Sequence, residues 1–287
     1  MKTRISLLAA CFLILFHAPL HAQTELTDAL GKKFVLRNAA RRIVSLSPAA
    51  TEILFAVGAG GQVVGRTEFC DYPAAALSVP VVGGFSGATV SVESIAALKS
   101  DLALVSADMH QRLVPLLEGI GVMVFALEPR NFEEVFAVIE IVGRLTGREQ
   151  SAARVARDMK VNLARIETRT RGKKAPAVFW ELYDSPLMTS GGDTLVNEAI
   201  TRAGGRNIFA NERGRWMTVS FEQVLVRDPE WILMGSDHDV DVTARPLWSA
   251  ISAVKNNRIA VIDANTIYRY GPRLVDAVSA IARLLHP

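Results

Sequence analysis

The chain has 287 residues, 50% of them hydrophobic and 21% charged, which allows one large packed core or two modest ones and excludes a disordered chain. A formal charge of +3 is too small to point to nucleic acid. No apolar run reaches the roughly 18 residues of a membrane-spanning helix.

Residues 1–22 read as an export signal. Lys2 and Arg4 supply the positive start, residues 5–16 the apolar run, and HAPLHA a small-residue cleavage site ending at Ala22. LLAAC (7–11) also resembles a lipoprotein signal ending at Cys11, but it would strand most of the apolar run behind the cysteine. Cleavage after Ala22 removes Lys2, Arg4 and Cys11. The formal charge then falls from +3 to +1, and Cys70 is left without a disulfide partner.

From residue 41 helices and short strands alternate. RRIVSLS (41–47) reads as a strand and PAATEILFAVG (48–58) as a helix. Ser47 can cap that helix, Pro48 suits its first turn, and Gly58 suits the left-handed position beyond its end. QVVGRT (62–67) and VPVVGG (79–84) are strands. SVESIAALKS (91–100) is a helix, DLALVS (101–106) a strand, QRLVPLLEGIG (111–121) a helix and VMVFAL (122–127) a strand. Short, fully apolar strands between helices predict a mainly parallel sheet covered on both faces. NFEEVFAVIEIVGRLTG (131–147) is an amphipathic helix.

Over residues 148–171 the strand signal disappears. Ala152, Val155, Met159, Leu163 and Ile166 recur at steps of three and four, with charges between them. This predicts one long helix with a narrow apolar stripe, about 36 Å from end to end, and a solvated basic face. The alternation then resumes. AVFWELY (177–183) is a strand, DTLVNEAITRAGG (193–205) and FEQVLVRD (221–228) are helices, and EWILMG (230–235) is a strand. RPLWSAISAVKNN (245–257), RIAVID and RLVDAVSAIARLLH (273–286) read as helix, strand, helix. The predicted organisation is α/β: a signal over 1–22, an N-terminal lobe over 23–147, a connecting helix over 148–172 and a C-terminal lobe over 173–287.

Enzyme signatures are missing. There is no HExxH and no G-x-S-x-G, and GAGGQVVG (58–65) does not match G-x-G-x-x-G. In the acidic loop SDHDVD, Asp237, Asp239 and Asp241 beside His238 could hold a cation weakly, but no ligand spacing is specific and a solvated loop fits as well. No resident metal is expected. Cys70, in RTEFCDYP (66–73), reads either as a small packed residue or as a reactive thiol.

A set of aromatics falls at predicted loop positions: Phe69, Tyr72, Phe85, Tyr183 and Trp216, with Tyr268 and Tyr270 flanking Arg269. Each could be a core side chain on its own. Together they suit a cleft for a large, partly flat, mostly apolar ligand, with Arg269 at a polar rim.

The stretches RIVSLSPAATEILFAVGAGGQVVGRTEFCDYP, TSGGDTLVNEAI, AGGRNIF, WMTVSFEQVLVRDPEWIL and YRYGPR resemble the substrate-binding proteins of ABC importers for vitamin B12, haem and iron–siderophores, most closely the vitamin B12 members. The similarity covers nearly the whole mature chain. It implies two Rossmann-like lobes bridged by one long helix, with the ligand between them. It also implies a periplasmic location, no catalysis and no cofactor beyond the transported ligand. The implied partners are a corrinoid, an inner-membrane permease and its ATPase; the protein is expected to be a monomer that binds no nucleic acid.

Carried over by position, Phe69, Phe85 and Trp216 face the ligand, and Ser47, Pro48 and Ala49 lie against it. Leu182 falls where such members have an aromatic, with Tyr183 beside it. Arg269 falls on a matching arginine, while Tyr268 and Asn265 replace acidic residues. Glu93 and Glu222 fall where the family docks on permease arginines; an ordinary glutamate at a helix N-terminus is the other reading. The alternatives are the same role for haem or a ferric siderophore, and an exported hydrolase. Haem requires an axial donor, for which Tyr72, Tyr183, Tyr268 and His110 are the candidates, and Arg66, Arg215 and Arg269 keep a charged siderophore open. The hydrolase would pair Cys70 or a serine with His110 or His238.

Overall fold

The computed structural model describes residues 24–238 and 240–287, so the signal read at 1–22, Cys11 and Asp239 lie outside the described residues. The described chain opens with a hairpin absent from the sequence reading, β1 (Thr24–Thr27) against β2 (Lys33–Leu36). Asp28 holds its turn. Oδ1 accepts from the Leu30 and Lys32 amides at 2.9 and 2.8 Å, and Oδ2 accepts from the Ala126 amide at 3.2 Å.

The predicted alternation then builds the first lobe. Its elements are β3 (Ile43–Ser45), α1 (Pro48–Ala56), β4 (Val63–Thr67), β5 (Val81–Gly83), α2 (Val92–Ala97), β6 (Leu102–Ser106), α3 (Ala107–His110), α4 (Val114–Gly119) and β7 (Met123–Leu127). The five strands from β3 onward form one parallel sheet in the order β5-β4-β3-β6-β7. Every residue of β3 is buried, as a parallel strand covered on both faces requires. From β3 the chain adds strands on one side, then returns to add β6 and β7 on the other. That reversal leaves a crevice at the carboxyl ends of β3 and β6.

Next comes α5 (Phe132–Thr146), which starts where Asn131 Oδ1 accepts from the Glu134 amide at 2.8 Å and stops at Gly147, whose φ is 68°. The long helix follows as α6 (Glu149–Thr170), 22 residues and about 33 Å. Ala152, Met159, Leu163 and Ile166 of the predicted stripe are buried, Ala156 and Thr170 extend it, and Val155 is half-buried. Helices α5 and α6 approach closely. A Cβ added at Gly143 would lie 2.4 Å from Ala152 Cβ.

The second lobe contains β8 (Ala177–Asp184), β9 (Leu187–Ser190), α7 (Leu195–Arg202), β10 (Arg206–Asn207), β11 (Trp216–Thr218), α8 (Phe221–Arg227), β12 (Trp231–Gly235), α9 (Ser252–Lys255), β13 (Ile259–Ile262), α10 (Ala264–Ile267) and α11 (Leu274–Leu285). Strands β8, β12 and β13 run parallel, and β10 pairs parallel with the start of β8. Strand β9 folds back antiparallel on β8, and β11 pairs antiparallel with β9, so this sheet is mixed at one edge. Residues 245–257 do not form the single helix expected. Leu247 adopts φ 68°, and only a short turn at Trp248–Ala250 and α9 are helical.

One hydrophobic cluster runs through both lobes. It joins Ile43, Leu102 and Phe125 to Met159 and Leu163 of α6, and these to Trp180, Leu233 and Ile281. Beside it Glu52 of α1, only 2% exposed, accepts from the Arg273 amide at 2.9 Å and from Arg273 Nε at 2.8 Å. Burial raises the Glu52 pKa above its usual 4.5, against the opposing pull of Arg273.

This pair yields a stability prediction. The folded state holds the Glu52 proton more readily than the unfolded chain does. Its contribution is therefore complete below pH 4.5 and lost as pH rises through the raised folded value. In urea unfolding, wild-type stability minus that of Glu52→Gln should fall with rising pH above this point; a flat difference would contradict the assignment. Arg273→Met, which strands the carboxylate, should cost about 3 kcal/mol at pH 7.

Candidate functional site: the cleft between the lobes

A cavity of about 550 Å³ lies between the two sheets. Its walls are the segments that follow the carboxyl ends of the parallel strands. From the first lobe come Ser47–Pro48–Ala49 after β3, Phe69 after β4, Phe85 after β5, Met109 and His110 after β6, and Glu128 after β7. From the second come Ser236 and Asp237 after β12, and Asn265 and Tyr268–Tyr270 after β13. This is where open α/β sheets take ligands, because helix starts and loop amides converge there.

The first-lobe wall is aromatic. Phe69 and Phe85 meet edge to face with ring centroids 5.3 Å apart, yet stay 44% and 49% exposed. Buried polar contacts hold their loop in place. The Arg66 guanidinium, itself buried, donates to the carbonyls of Thr67 at 2.9 Å, Val79 at 3.2 Å and Leu77 at 3.4 Å. Cys70 is fully buried, its Sγ 3.1 Å from Thr67 Oγ1 and 3.6 Å from the Ser45 carbonyl. At Gly83 a Cβ would lie 2.3 Å from the Thr89 carbonyl, so only glycine allows the tight turn that carries Phe85.

The second-lobe wall is built on Tyr268. Its ring meets Trp180 and Trp216 edge on, at 6.1 and 6.4 Å, and its hydroxyl accepts from Trp180 Nε1 at 3.1 Å. Burial pushes the Tyr268 and Tyr270 pKa values upward, so both phenols stay protonated at neutral pH.

Ion pairs cross the cleft. Arg269 bonds Asp71 of the opposite lobe, and hydrogen bonding to Arg269 lowers the Asp71 pKa. Arg215 reaches Asp108 at 3.0 Å and Glu128 at 3.6 Å. Among the described residues in and beside the cleft, the carboxylates Asp71, Asp108, Glu128 and Asp237 outnumber the cations Arg215 and Arg269, and the neighbouring Glu52–Arg273 pair adds one partner of each sign. His110 does not change the balance, because burial lowers its pKa and favours the neutral ring.

Of the residues singled out in the sequence, Ser47, Pro48, Ala49, Phe69, Phe85, His110, Asn265, Tyr268, Arg269 and Tyr270 line the cavity. Trp216 does not line it but supports Tyr268. Leu182 is half-buried against the core and Tyr183 is 52% exposed, both away from the cavity lining. Glu93 and Glu222 are exposed on the first turns of α2 and α8, one in each lobe. Met109, Glu128 and Asp237 were not read as wall residues, since nothing local marks them. His238 is spent elsewhere: its Nε2 lies 2.6 Å from Glu181 Oε1, and the Arg245 guanidinium also holds that buried carboxylate. Asp241 accepts from the Thr243 amide at 2.9 Å. Among the described residues no group of three or more His, Cys, Asp or Glu is placed to hold a metal ion.

A family model described as periplasmic binding protein matches residues 43–266. The chain belongs to this family. One relative of this chain is the uncharacterized ABC transporter substrate-binding lipoprotein YvrC of Bacillus subtilis, 30% identical over 91% of this chain and 84% of its own length. Another is the vitamin B12-binding protein of Vibrio cholerae, 30% identical over 86% and 89%. The crystal structure of Vibrio cholerae BtuF, a periplasmic vitamin B12 binding protein, superposes with a TM-score of 0.74 at 29% identity, covering 86% of this chain and 96% of that one. The periplasmic heme-binding protein BhuT superposes with a TM-score of 0.77 at 25% identity, covering 86% and 98%. As a member of this family the chain is a binding protein and not an enzyme, which removes the hydrolase reading. Cys70 contacts a threonine and a carbonyl, not a histidine.

Cys70 supplies a direct check on this packing. In protein lacking residues 1–22, a thiol reagent at neutral pH should find no reactive cysteine in the native state and one in strong denaturant. Rapid native labelling would show that the Phe69 loop is not packed in this way.

Proposed function

We propose that the chain is the substrate-binding protein of an ABC importer for cobalamin or a related corrinoid. Its N-terminal signal exports it to the periplasm, where it works as a monomer and hands its ligand to an inner-membrane permease and its ATPase. In this reading residues 23–147 and 173–287 act as two lobes around a connecting helix over 148–172. The ligand rests on Ser47, Pro48, Ala49, Phe69 and Phe85 on one side and on Tyr268 and Arg269 on the other, with Trp216 acting through Tyr268. Leu182 and Tyr183 are left out of the contact set.

The observation that carries this reading is a cleft with an exposed aromatic wall at Phe69 and Phe85 and more carboxylates than arginines around it. A corrinoid offers a broad macrocycle and uncharged carboxamide arms. The propionates of haem and the carboxylates of acidic siderophores would face Glu128 and Asp237 instead. The arginines that kept a siderophore open are committed, Arg66 to carbonyls and Arg215 and Arg269 to carboxylates.

The haem-ligand candidates fare no better. Tyr72 lies under the Arg273 guanidinium, 3.6 Å from its ring centre, and Tyr183 is outside the cavity. Tyr268 holds Trp180, and burial opposes its ionisation. His110 has its Nδ1 occupied by the Ser106 amide.

Titration of the purified protein with cyanocobalamin, haemin and a ferric siderophore, followed by tryptophan fluorescence or calorimetry, tests the proposal. Saturable binding is expected for cyanocobalamin alone; a preference for haemin would overturn the reading. Phe69→Ala should weaken cyanocobalamin about tenfold, or about 1.4 kcal/mol.

Glu93 and Glu222 serve permease docking in this proposal. The double variant Glu93→Ala, Glu222→Ala should keep its affinity for cyanocobalamin while uptake through the permease drops. Unimpaired uptake would return both residues to a helix-start role.

A further inference from the structure

His110 closes α3 at the cleft wall and is only 2% exposed. Its Nδ1 accepts the Ser106 backbone N–H at 3.2 Å. A neutral imidazole that accepts at Nδ1 carries its proton at Nε2. The ring, part of the cleft wall, therefore carries a donor at Nε2 rather than a metal-binding lone pair. That donor is buried and has no hydrogen-bond partner. The Phe85 carbonyl lies close enough to favour a charged ring, but makes no hydrogen bond of acceptable geometry to it. Buried donors without acceptors are costly and uncommon in folded proteins.

The surroundings also select the charge of the missing acceptor. Glu128 accepts from Ser106 Oγ at 3.0 Å and lies 3.6 Å from Arg215. Asp108, two residues before His110, is paired with the same arginine at 3.0 Å. Neither carboxylate is free for the imidazole, and both disfavour a second anion beside it.

We propose that His110 Nε2–H donates to an uncharged carbonyl at the edge of the bound ligand and makes the cleft prefer carboxamide arms over carboxylates. The inference rests on the corrinoid reading and names the arm chemistry within it.

The test uses wild type, His110→Gln and His110→Phe, titrated with cyanocobalamin and with cyanocobalamin monocarboxylic acids in which one peripheral amide is hydrolysed. His110→Phe should bind cyanocobalamin at least about tenfold more weakly, while His110→Gln, which keeps an N–H donor, should stay within about threefold of wild type. At least one monocarboxylic acid should bind wild type more weakly than cyanocobalamin does, and His110→Phe should lose that distinction. Histidine-labelled wild type gives a second readout that needs no variant. The free protein should show the Nε2–H tautomer at His110, and cyanocobalamin should shift that proton and slow its exchange. Equal binding by His110→Phe, or an unmoved His110 signal with cyanocobalamin bound, would sink the donor role and leave the corrinoid reading standing. Failure of wild type to bind any corrinoid would remove both.

Discussion

The chain passes from one sheet to the other inside a helix, and the site depends on that passage. The buried stripe of α6, Met159, Leu163 and Ile166 included, belongs to a hydrophobic cluster that also holds residues of both sheets. Swinging the lobes apart would expose that stripe, at about 25 cal/mol for each Å² of apolar surface returned to water. A flexible linker would carry no such penalty. The Glu52–Arg273 pair adds a second tie, and it is directional, because the carboxylate accepts from both the backbone and the side chain of the same residue. The cleft is thus largely pre-formed, and little of the binding free energy is lost to ordering it.

Within that frame the polar groups have two jobs. Arg269–Asp71 and Arg215–Asp108 join opposite lobes at partly exposed positions, where ion pairs contribute about 0–1 kcal/mol each. Their greater effect is to occupy the cations. An arginine already paired does not attract an anionic ligand as a free one would, and the carboxylates Asp71, Asp108, Glu128 and Asp237 outnumber Arg215 and Arg269. Recognition then falls to aromatic faces and to the few hydrogen-bonding groups not already committed. Such a surface suits a large uncharged molecule better than a small charged one.

The parallel sheet of the first lobe and α6 were legible in the sequence because their signals are local and repeated. Fully apolar strands such as LALV, and a stripe at steps of three and four, need no partner to be recognised. The hairpin at 24–36 and the antiparallel strands β9 and β11 were not. Their strands are three or four residues long, and their strand character comes from pairing. The 245–257 stretch has helix-forming residues, but Leu247, 71% exposed, takes a left-handed conformation that interrupts the helix. At the site, the aromatics of the cleft could be listed from their loop positions. The commitments that decide its charge could not, since Asp71 and Arg269 are 198 positions apart. The free Nε2 of His110 depends in turn on a backbone amide four residues earlier, which becomes a donor to the ring only once α3 has formed.

The stretch RTEFCDYP shows how such a site remains adjustable. Arg66 is spent on carbonyls, Cys70 is packed against Thr67 and Ser45, Asp71 holds Arg269, and Tyr72 lies under Arg273. These contacts fix the backbone of the loop without using the Phe69 side chain, whose aromatic neighbour is Phe85 in the cleft wall. An exposed side chain held by a loop that does not need it contributes little to folding, so its replacement is felt in the ligand contact. The separation of scaffold from contact lies within eight consecutive residues. It lets the same two-lobed frame be fitted to ligands of different shape by changes at the wall, while the residues that hold the wall stay as they are.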